Sequence, residues 1–322
     1  MDHGTTAIRF AASDGRCWEL QRFDAGRLAP EAIVELIKQN LGGHIDLIAM
    51  SYSMGDGIAQ IMRMEDAINR GLLQQDGAGI HVGGGTRVFE AVRGSGWPAI
   101  LLPGIHRGSD IDPRLKVFSH GMSPEKVGLA YFVYKRGMEN FIVCDASSNT
   151  VTFAVRQGKI VGAIDAPIFA PGLLHGPLDV EAIRNVDSGK ITANQAFSQG
   201  GILAKWGYSR LEECPPEMEK HALESLALFA AMEIGAIKVL LKDLGEESPA
   251  LYLAGGPAPK IQSRVSELLD VWVTPLEKCA AAIGCAMIAE DVFAGCPDIL
   301  GLNVDQRARH MAILPASILG KS

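Results

Sequence analysis

The chain begins with MDHGTTAIRFAASDGR, residues 1–16, and residues 144–159 repeat the same pattern as CDASSNTVTFAVRQGK. In each copy an acidic residue, Asp2 or Asp145, precedes a turn of small polar residues. A strand-like run, a short turn such as Asp14-Gly15, and a second strand-like run follow. Asp-Gly between such runs is typical of a β-hairpin. The repeat predicts two related halves, each with a carboxylate and backbone amides at a strand end.

The repeat is aligned without a gap, at an offset of 143 positions. Its matched residues preserve the order of acid, polar turn and hairpin, which is more specific than any single match. The five pairs are Asp2 with Asp145, Phe10 with Phe153, Ala11 with Ala154, Gly15 with Gly158, and Arg16 with Lys159.

Composition indicates a soluble globular protein of two domains, with 322 residues, 48% of them hydrophobic and 21% charged. A net charge of −7 argues against nucleic acid or an anionic membrane as the main partner. Charged residues interrupt the longest apolar stretch, 222–241, so it predicts a buried helix. The six cysteines include no Cys-x-x-Cys pair, and we expect core thiols in a reducing cytoplasm.

Hydrophobic periodicity and helix-start signals predict alternating helices and strands. The predicted helices cover 30–40, 123–137, 216–244 and 259–269, and the predicted strands include 45–50, 99–102, 141–144, 251–254 and 271–273. Thr274-Pro275-Leu276-Glu277 has the form of a capping box and predicts a helix start. Gly83-Gly84-Gly85 is expected to be a flexible loop, because no lysine-bearing helix start follows it.

Three separated signals occur in one order along the chain: the turn after Asp2, the turn after Asp145, and a strand ending at Gly255-Gly256. This order resembles the phosphate 1, phosphate 2 and adenosine motifs of the actin, sugar kinase, acetate kinase and Hsp70 superfamily. The resemblance implies an α/β fold of two actin-like (ribonuclease H-like) domains with a nucleotide cleft between them. The expected domains are 1–138 and 139–300, with an insert at about 166–214 and a final segment, 301–322, returning to the first domain.

The resemblance also implies ATP or ADP as ligand with Mg²⁺, held through water by Asp2 and Asp145. Asp145 and Arg184 are the expected catalytic residues, with Arg184 steadying the transferred phosphoryl group. The nucleotide-contacting residues that the motifs imply are Asp2, Gly4, Thr5, Thr6, Ser147, Ser148, Asn149, Thr150, Gly255 and Gly256. The helices at 123–137 and 276–294 are expected to cross as a hinge, because the second is rich in small residues.

More narrowly, residues 2–11 resemble the archaeal family known as methanogenesis marker protein 12, which carries no activity over to this chain. Gly176-Pro177 followed by Arg184 and Gly189 is similar to a segment of the short-chain carboxylate kinases. These resemblances imply a kinase acting on a small acid or alcohol, or an ATPase. A homodimer and a protein client are the further partners that the resemblance allows.

Two alternatives remain open. An ATP-driven assembly or activation factor would use the same fold to act on a protein partner. A nucleotide sensor without catalysis is favoured by Ala146-Ser147-Ser148, which stands where active members have adjacent glycines. Only Met1 precedes Asp2, where an apolar strand is expected, so we expect a natural start several residues upstream.

Overall fold

The computed structural model describes residues 1–51, 57–68 and 83–309. The chain forms two units, one of Met1–Gly137 with Cys279–Ser322 and one of Met138–Lys278. The chain passes from the first unit to the second after Gly137 and returns to the first at Cys279. The expected domains, 1–138 and 139–300 with a final segment 301–322, stay a prediction. None of the helices in the described ranges is long and apolar enough to span a membrane.

In chain order, the first part of the first unit comprises β1 (Asp2–His3), β2 (Ala7–Ala11), β3 (Cys17–Gln21), α1 (Arg22–Ala25), α2 (Pro30–Leu41), β4 (Ile48–Met50), β5 (Met62–Arg63), α3 (Gly84–Ser95), β6 (Ala99–Leu101), β7 (Ile105–His106), β8 (His120–Met122) and α4 (Glu125–Tyr134). The second unit comprises β9 (Phe141–Ala146), β10 (Thr150–Arg156), β11 (Lys159–Asp165), α5 (Val180–Asp187), α6 (Ala193–Ser198), α7 (Ile202–Lys205), α8 (Pro216–Asp243), β12 (Ala250–Ala254), α9 (Ala258–Leu269) and β13 (Thr274–Pro275). The first unit is completed by α10 (Ala280–Phe293), β14 (Asp298–Ile299), β15 (Leu302–Asn303) and α11 (Gln306–Arg309).

The sheet of the second unit has the strand order β11-β10-β9-β12-β13. Strands β9, β10 and β11 pair antiparallel, whereas β12 is parallel to β9 and to β13. Gln157 and Gly158 both have positive φ, so β10 and β11 are joined by the predicted two-residue turn. Helix α8 packs against this sheet through Leu226, Ile234 and Ile237.

The first unit has a related arrangement of strands, which includes two three-stranded sheets. Strands β3, β2 and β1 pair antiparallel, and β4 is parallel to β6. The Met1 amino group donates to the Ala49 carbonyl over 2.8 Å, and the Ser51 N–H donates to the Met1 carbonyl over 3.3 Å. These two bonds connect the three-stranded sheet β1-β2-β3 to a second three-stranded sheet, β4-β6-β5, in which β5 is antiparallel to β6. Both units therefore place three antiparallel strands beside a parallel pair.

The register shows that the gapless alignment is off by one residue. Asp2 pairs with Arg9, seven positions on, whereas Asp145 pairs with Val151, six positions on. The first polar turn is one residue longer, so Phe10 and Phe153 are not equivalent positions on their sheets. The turn between β2 and β3 also differs from prediction, because the Ala12 N–H donates to the Arg16 carbonyl and leaves a three-residue loop.

A pocket of about 320 Å³ lies in the first unit beside Met1. Residues 10–13 form one wall, residues 45–49 form the other, and α2 and α10 contribute apolar side chains that include Ile37 and Ala289. The pocket therefore lies between β2 and β4, next to the amino-terminal end of β1.

Helices α4 and α10 cross at two glycines, both in the first unit. A Cβ atom on Gly284 would lie 1.8 Å from the Gly128 carbonyl oxygen, and one on Gly128 would lie 2.6 Å from Cys285 Sγ. The small residues that the sequence places in α10 therefore permit main-chain contact between these helices.

Three local predictions are wrong. Thr274-Pro275 is strand β13, and the helix begins only at Ala280, because pairing with β12 replaces the expected capping box. No strand forms at 271–273, where one was predicted, because the residues that pair with β12 are those of β13. Gly84 and Gly85 are the first residues of α3, although a loop was expected, because Gly84 packs against the Arg22 carbonyl, where a Cβ would lie 2.0 Å away.

The cysteines divide into two groups. Cys17 and Cys279 form a disulfide within the first unit, with Cα atoms 6.5 Å apart, so the expectation of core thiols is wrong for this pair. Cys144 and Cys285 are buried thiols, as expected. Sequence spacing could not reveal the disulfide, because 262 residues separate its partners.

Candidate functional site

In the second unit, Asp145 and Gly255 lie side by side at the carboxyl ends of parallel strands. Asp145 pairs with Ala254 in the register of β9 and β12, and Gly255 follows directly. A Cβ on Gly255 would lie 2.4 Å from the Ala146 carbonyl oxygen and 3.0 Å from Asp145 Oδ1, and its φ is +102°. Only glycine fits at this position. A Cβ on Gly256, by contrast, would have no atom within 4 Å, so open space adjoins this residue.

The polar turn after Asp145 is held by its own backbone. The Ser147 N–H donates to the Asn149 carbonyl over 2.8 Å. Thr150 is fully buried, and its hydroxyl donates to the Pro171 carbonyl over 3.1 Å. Ser147, Ser148 and Asn149 are partly exposed, so these three remain accessible to a ligand whereas Thr150 supports the turn from beneath.

Residues 172–175 cover one side of this turn. The Leu173 N–H donates to the Ser147 carbonyl, and the Leu174 and His175 N–H groups donate to the Ser148 carbonyl, over 2.8 to 3.1 Å. In a trans peptide the C=O and N–H of one unit point in opposite directions. The N–H groups of Ser148 and Asn149 therefore point away from residues 172–175. Adjacent amides aimed to one side form a concavity suited to a phosphate oxygen.

The side chain of His175 also contacts the turn after Asp145. Its Nδ1 forms a hydrogen bond with Asn149 Oδ1, and its ring stacks on Phe197. Burial lowers the pKa of His175, so the ring is neutral at pH 7. A Cβ on Gly172 would lie 2.4 Å from the Ser148 carbonyl oxygen, which shows how closely the two segments approach.

The carboxylate-kinase-like segment lies close by in sequence, in the irregular insert. Gly176 packs against Gly200, because a Cβ there would lie 2.3 Å from the Gly200 carbonyl oxygen. Arg184 is exposed on α5, and Gly189 has a φ of +70° just after that helix. The catalytic role of Arg184 stays a prediction.

In the first unit, Asp2 is buried among charged side chains that are themselves buried or partly buried. The Asp2 side chain accepts a hydrogen bond from Arg9 Nη1 over 3.3 Å. Glu125 pairs with Lys126 over 3.1 Å and accepts a hydrogen bond from the Ser123 hydroxyl. Burial, and then the negative charge of Glu125, raise the pKa of Asp2 to about 6, against the opposing charges of Arg9 and Lys126.

The turn after Asp2 is held by Arg22. Its Nη1 donates to the Gly4 carbonyl over 3.0 Å, and its backbone N–H donates to the Thr6 carbonyl over 2.9 Å. The Thr5 N–H consequently points away from Arg22. Thr5 and Thr6 are exposed, so a ligand in solution can reach both residues. Both units thus present a carboxylate beside a turn whose carbonyl groups are bound by protein.

His3 is buried beside the same carboxylate. Its N–H donates to Ser51 Oγ over 3.1 Å, and burial holds the pKa of its ring well below the usual range. The ring is therefore neutral and adds no positive charge next to Asp2.

The oxygen donors suit magnesium better than a soft metal. In the described ranges, no group of three His, Cys, Asp or Glu side chains could hold a metal ion by itself. Mg²⁺ commonly keeps water ligands and binds through one or two carboxylates plus substrate phosphates. Asp145 with the neighbouring turn fits that donor set.

Sequence reasoning missed several residues that shape these turns: Arg22, Glu125, Lys126, Gly172 and His175. Their contacts join positions far apart in sequence, as between Gly172 and Ser148. The glycines of the insert were the available sequence signal, because a glycine often marks a place where two backbone segments come close together.

Proteins of methanogenic archaea are similar to this chain over almost its whole length. A UPF0285 protein of Methanosarcina acetivorans is 49% identical over 319 residues, which are 95% of this chain and 98% of that protein. A UPF0285 protein of Methanocaldococcus jannaschii is 40% identical over 325 residues, with the same coverage of 95% and 98%. No family model matches the chain.

Solved structures of carboxylate kinases share the fold. Acetate kinase from Entamoeba histolytica aligns with a TM-score of 0.54 at 11% identity, covering 84% of this chain and 88% of that one. A propionate kinase from Francisella tularensis aligns with a TM-score of 0.51 at 12% identity, covering 88% and 91%. The α/β fold expected from the motifs is confirmed, because both kinases share it.

Proposed function

This chain belongs to the UPF0285 family of methanogen proteins, and from that premise and its kinase-like fold we propose that it binds ATP with Mg²⁺ and transfers the γ-phosphoryl group to a small carboxylic acid. The observation that carries the proposal is the contact between Asp145 and Gly255. This contact brings together, at one edge of a single sheet, a carboxylate, a turn whose N–H groups point away from residues 172–175, and a glycine, Gly256, that adjoins open space.

Each part has a role that its chemistry supports. The Ser148 and Asn149 amides would bind phosphate oxygens, with the Ser147 and Ser148 hydroxyls as further donors. The space beside Gly256 would accept the adenosine, since no protein atom fills it. Asp145 would hold Mg²⁺ through water, and the ion would neutralise charge on the phosphates.

The transfer itself requires mainly positioning. A carboxylate oxygen of the acceptor would form a bond to the γ-phosphorus. The bond from that phosphorus to the oxygen bridging the β-phosphate would break, and ADP would leave with the electron pair. Arg184 would neutralise the transferred group, as the sequence predicts. The role of Asp2 as a metal-side carboxylate stays a prediction from the motifs.

Transfer is tested by incubating the protein with ATP, Mg²⁺ and acetate or propionate and trapping acyl phosphate with hydroxylamine. We expect hydroxamate formation that Arg184→Ala slows at least tenfold while the affinity for ATP stays unchanged. Arg156→Ala, on β10 of the same unit, is the matched control. Absence of hydroxamate with every acid tested, together with intact ATP binding, would contradict transfer.

A nucleotide sensor is the second candidate. It is favoured by the way residues 172–175 hold the turn after Asp145. Residues 172–175 bind the carbonyls of Ser147 and Ser148, and His175 holds Asn149, so the turn is rigid. Such a turn would bind a nucleotide, whereas the side chains of Ser147 and Ser148 would keep its backbone farther from the phosphates than transfer requires. Binding without turnover, and turnover gained in Ser147→Gly with Ser148→Gly, would identify the sensor.

A further inference from the structure

A pocket of about 340 Å³ lies within the second unit, between the irregular insert and α8. Three aromatic side chains line it: Phe169 and Trp206 of the insert, and Phe229 of α8. Phe169 and Phe229 meet edge to face, with ring centroids 6.3 Å apart. We call this cavity the insert pocket. Its volume lies at the lower end of the range for small-molecule sites, so it suits a ligand the size of an amino acid.

The insert pocket has a buried floor and a charged mouth. Gly200 and Ile202 are buried, whereas Lys205 and Asp179 are exposed. Asp179 Oδ2 accepts a hydrogen bond from Lys205 Nζ, and Asp179 Oδ1 accepts one from the Ala182 N–H of α5 over 2.9 Å. The bond from Lys205 lowers the pKa of Asp179, so this carboxylate is ionised at pH 7. The mouth therefore carries a positive and a negative charge side by side.

We propose that the insert pocket binds a small zwitterion with an aromatic ring, an aromatic α-amino acid. The ring would lie among Phe169, Trp206 and Phe229, because aromatic rings pack favourably edge to face or offset. The carboxylate of the ligand would pair with Lys205, and its ammonium group with Asp179. Such a ligand uses the aromatic walls and the charged mouth together.

The paired charges at the mouth favour a zwitterion over a ligand of single charge. A simple carboxylate would gain Lys205 only by separating it from Asp179, and a simple cation would gain Asp179 at the same cost. A zwitterion exchanges that one ion pair for two. The side chains are 42% exposed for Lys205 and 49% for Asp179, so both can turn toward a ligand without disturbing the buried floor.

The insert pocket adjoins the segment that holds the turn after Asp145. The Ile202 N–H on its floor donates to the Gly172 carbonyl over 2.9 Å. The carbonyl of Pro171, which also lines the pocket, accepts the hydrogen bond from the Thr150 hydroxyl. A ligand bound here would therefore hold that segment more firmly against the turn.

The first test is calorimetric titration of L-phenylalanine into the whole chain. No nucleotide is present, so the outcome is independent of the proposed ATP site. We expect saturable binding, and Trp206→Ala should weaken it at least tenfold. Trp272→Ala is the matched control, because Trp272 is an exposed tryptophan of the same unit outside the pocket. Absence of binding to the folded protein, or equal affinity in both variants, would overturn the proposal.

Two analogues test the charged mouth. Phenylalaninamide lacks the carboxylate and N-acetylphenylalanine lacks the ammonium group, so each should bind at least tenfold more weakly than phenylalanine. Lys205→Met should remove the preference for phenylalanine over the amide. Asp179→Asn should remove the preference over the N-acetyl compound, and asparagine still caps α5. Lys190→Met, at an exposed lysine of the same unit, is the control. Unchanged preferences in the Lys205 and Asp179 variants would contradict the assigned charge pairs.

Ser225→Leu tests the cavity independently of its mouth. Ser225 lies on the α8 wall of the insert pocket, and leucine is a better helix former whose side chain would fill part of the cavity. We expect the melting temperature not to fall, while the affinity for phenylalanine declines at least tenfold. Unchanged affinity would show that phenylalanine binds elsewhere.

Hydrogen exchange tests the link to the turn. The amides of Leu173, Leu174 and His175 donate to the turn carbonyls, so saturating phenylalanine should slow their exchange at least twofold. The amides of the β10–β11 hairpin should keep their rates. Unchanged exchange at residues 173–175, with phenylalanine bound, would contradict the stabilisation of this segment.

Discussion

Gly255 and Gly256 are neighbours with different reasons to be glycine. Gly255→Ala would force a Cβ into the Ala146 carbonyl and Asp145, in a left-handed conformation that costs about 1–2 kcal/mol by itself. We expect a clear loss in melting temperature. Gly256→Ala meets open space, so the melting temperature should stay close to the parent while affinity for ATP falls at least tenfold. Calorimetry and thermal unfolding of both variants separate these effects, and equal melting temperatures would contradict the geometry.

Glu233 is a fully buried acid in α8 that accepts a hydrogen bond from the Thr152 hydroxyl over 2.6 Å. Burial raises the pKa of Glu233 from its ordinary 4.5 to about 8. The folded state therefore holds this proton more tightly than the unfolded chain, so the free energy of unfolding declines as pH rises between these two values.

Glu233→Gln removes that titration and keeps a hydrogen-bond acceptor for Thr152. We expect the parent to lose on the order of 3–5 kcal/mol more than the variant between pH 4.5 and 8. Denaturant unfolding at a series of pH values measures the difference. Parallel pH profiles for the two proteins would show that Glu233 is not neutral in the folded state.

At the scale of elements, the crossing of α4 and α10 depends on Gly284. Gly284→Ala places a methyl group 1.8 Å from the Gly128 carbonyl, so the helices must separate. We expect a loss of about 1–3 kcal/mol in the free energy of unfolding. Gly94→Ala in α3 is the control, since its Cβ meets nothing and alanine is the better helix former. Equal effects of the two substitutions on chemical denaturation would contradict the crossing.

Elements with local signals were predictable from the sequence. The β10–β11 hairpin has a two-residue turn containing glycine, and α8 has a long apolar periodicity starting at a proline. The segment 274–277 was misread, because pairing with β12 overrides its local helix-start pattern. The position of residues 172–175 against the turn after Asp145 was not predicted, because it depends on contacts between segments about 25 residues apart in the chain.

At the scale of the molecule, the plan of two related halves was predictable because the acid, the polar turn and the hairpin recur in order. The register of the first copy was not, because a one-residue difference in turn length is invisible without the strand pairs. Asp2 and Asp145 were predicted as metal-side carboxylates from their place in that plan, and this role stays a prediction. Burial, and then the charge of Glu125, raise the pKa of Asp2. Glu125 belongs to a predicted helix start, and nothing in the sequence indicated that this helix start lies near Asp2.

The disulfide joins β3 to the start of α10 and so closes a loop of 262 residues. Constraining so long a loop in the unfolded chain is expected to stabilise the fold by about 2–4 kcal/mol. Cys17→Ser should lower the melting temperature, whereas Cys214→Ser, at a thiol outside the core, should not. Mass spectrometry of a non-reduced digest detects the linked peptides, and their absence with an unchanged melting temperature in Cys17→Ser would contradict the bond.

The central claim is that the edge formed by Asp145, its turn and Gly255 binds ATP with Mg²⁺. Calorimetric titration of ATP into the whole protein, with and without Mg²⁺, tests it most directly when repeated with Asp145→Asn and with Asp187→Asn as an exposed control in the same unit. The account predicts Mg²⁺-dependent binding that Asp145→Asn weakens at least tenfold and Asp187→Asn leaves intact. Equal affinity in all three proteins, or no binding by the folded parent, would contradict it.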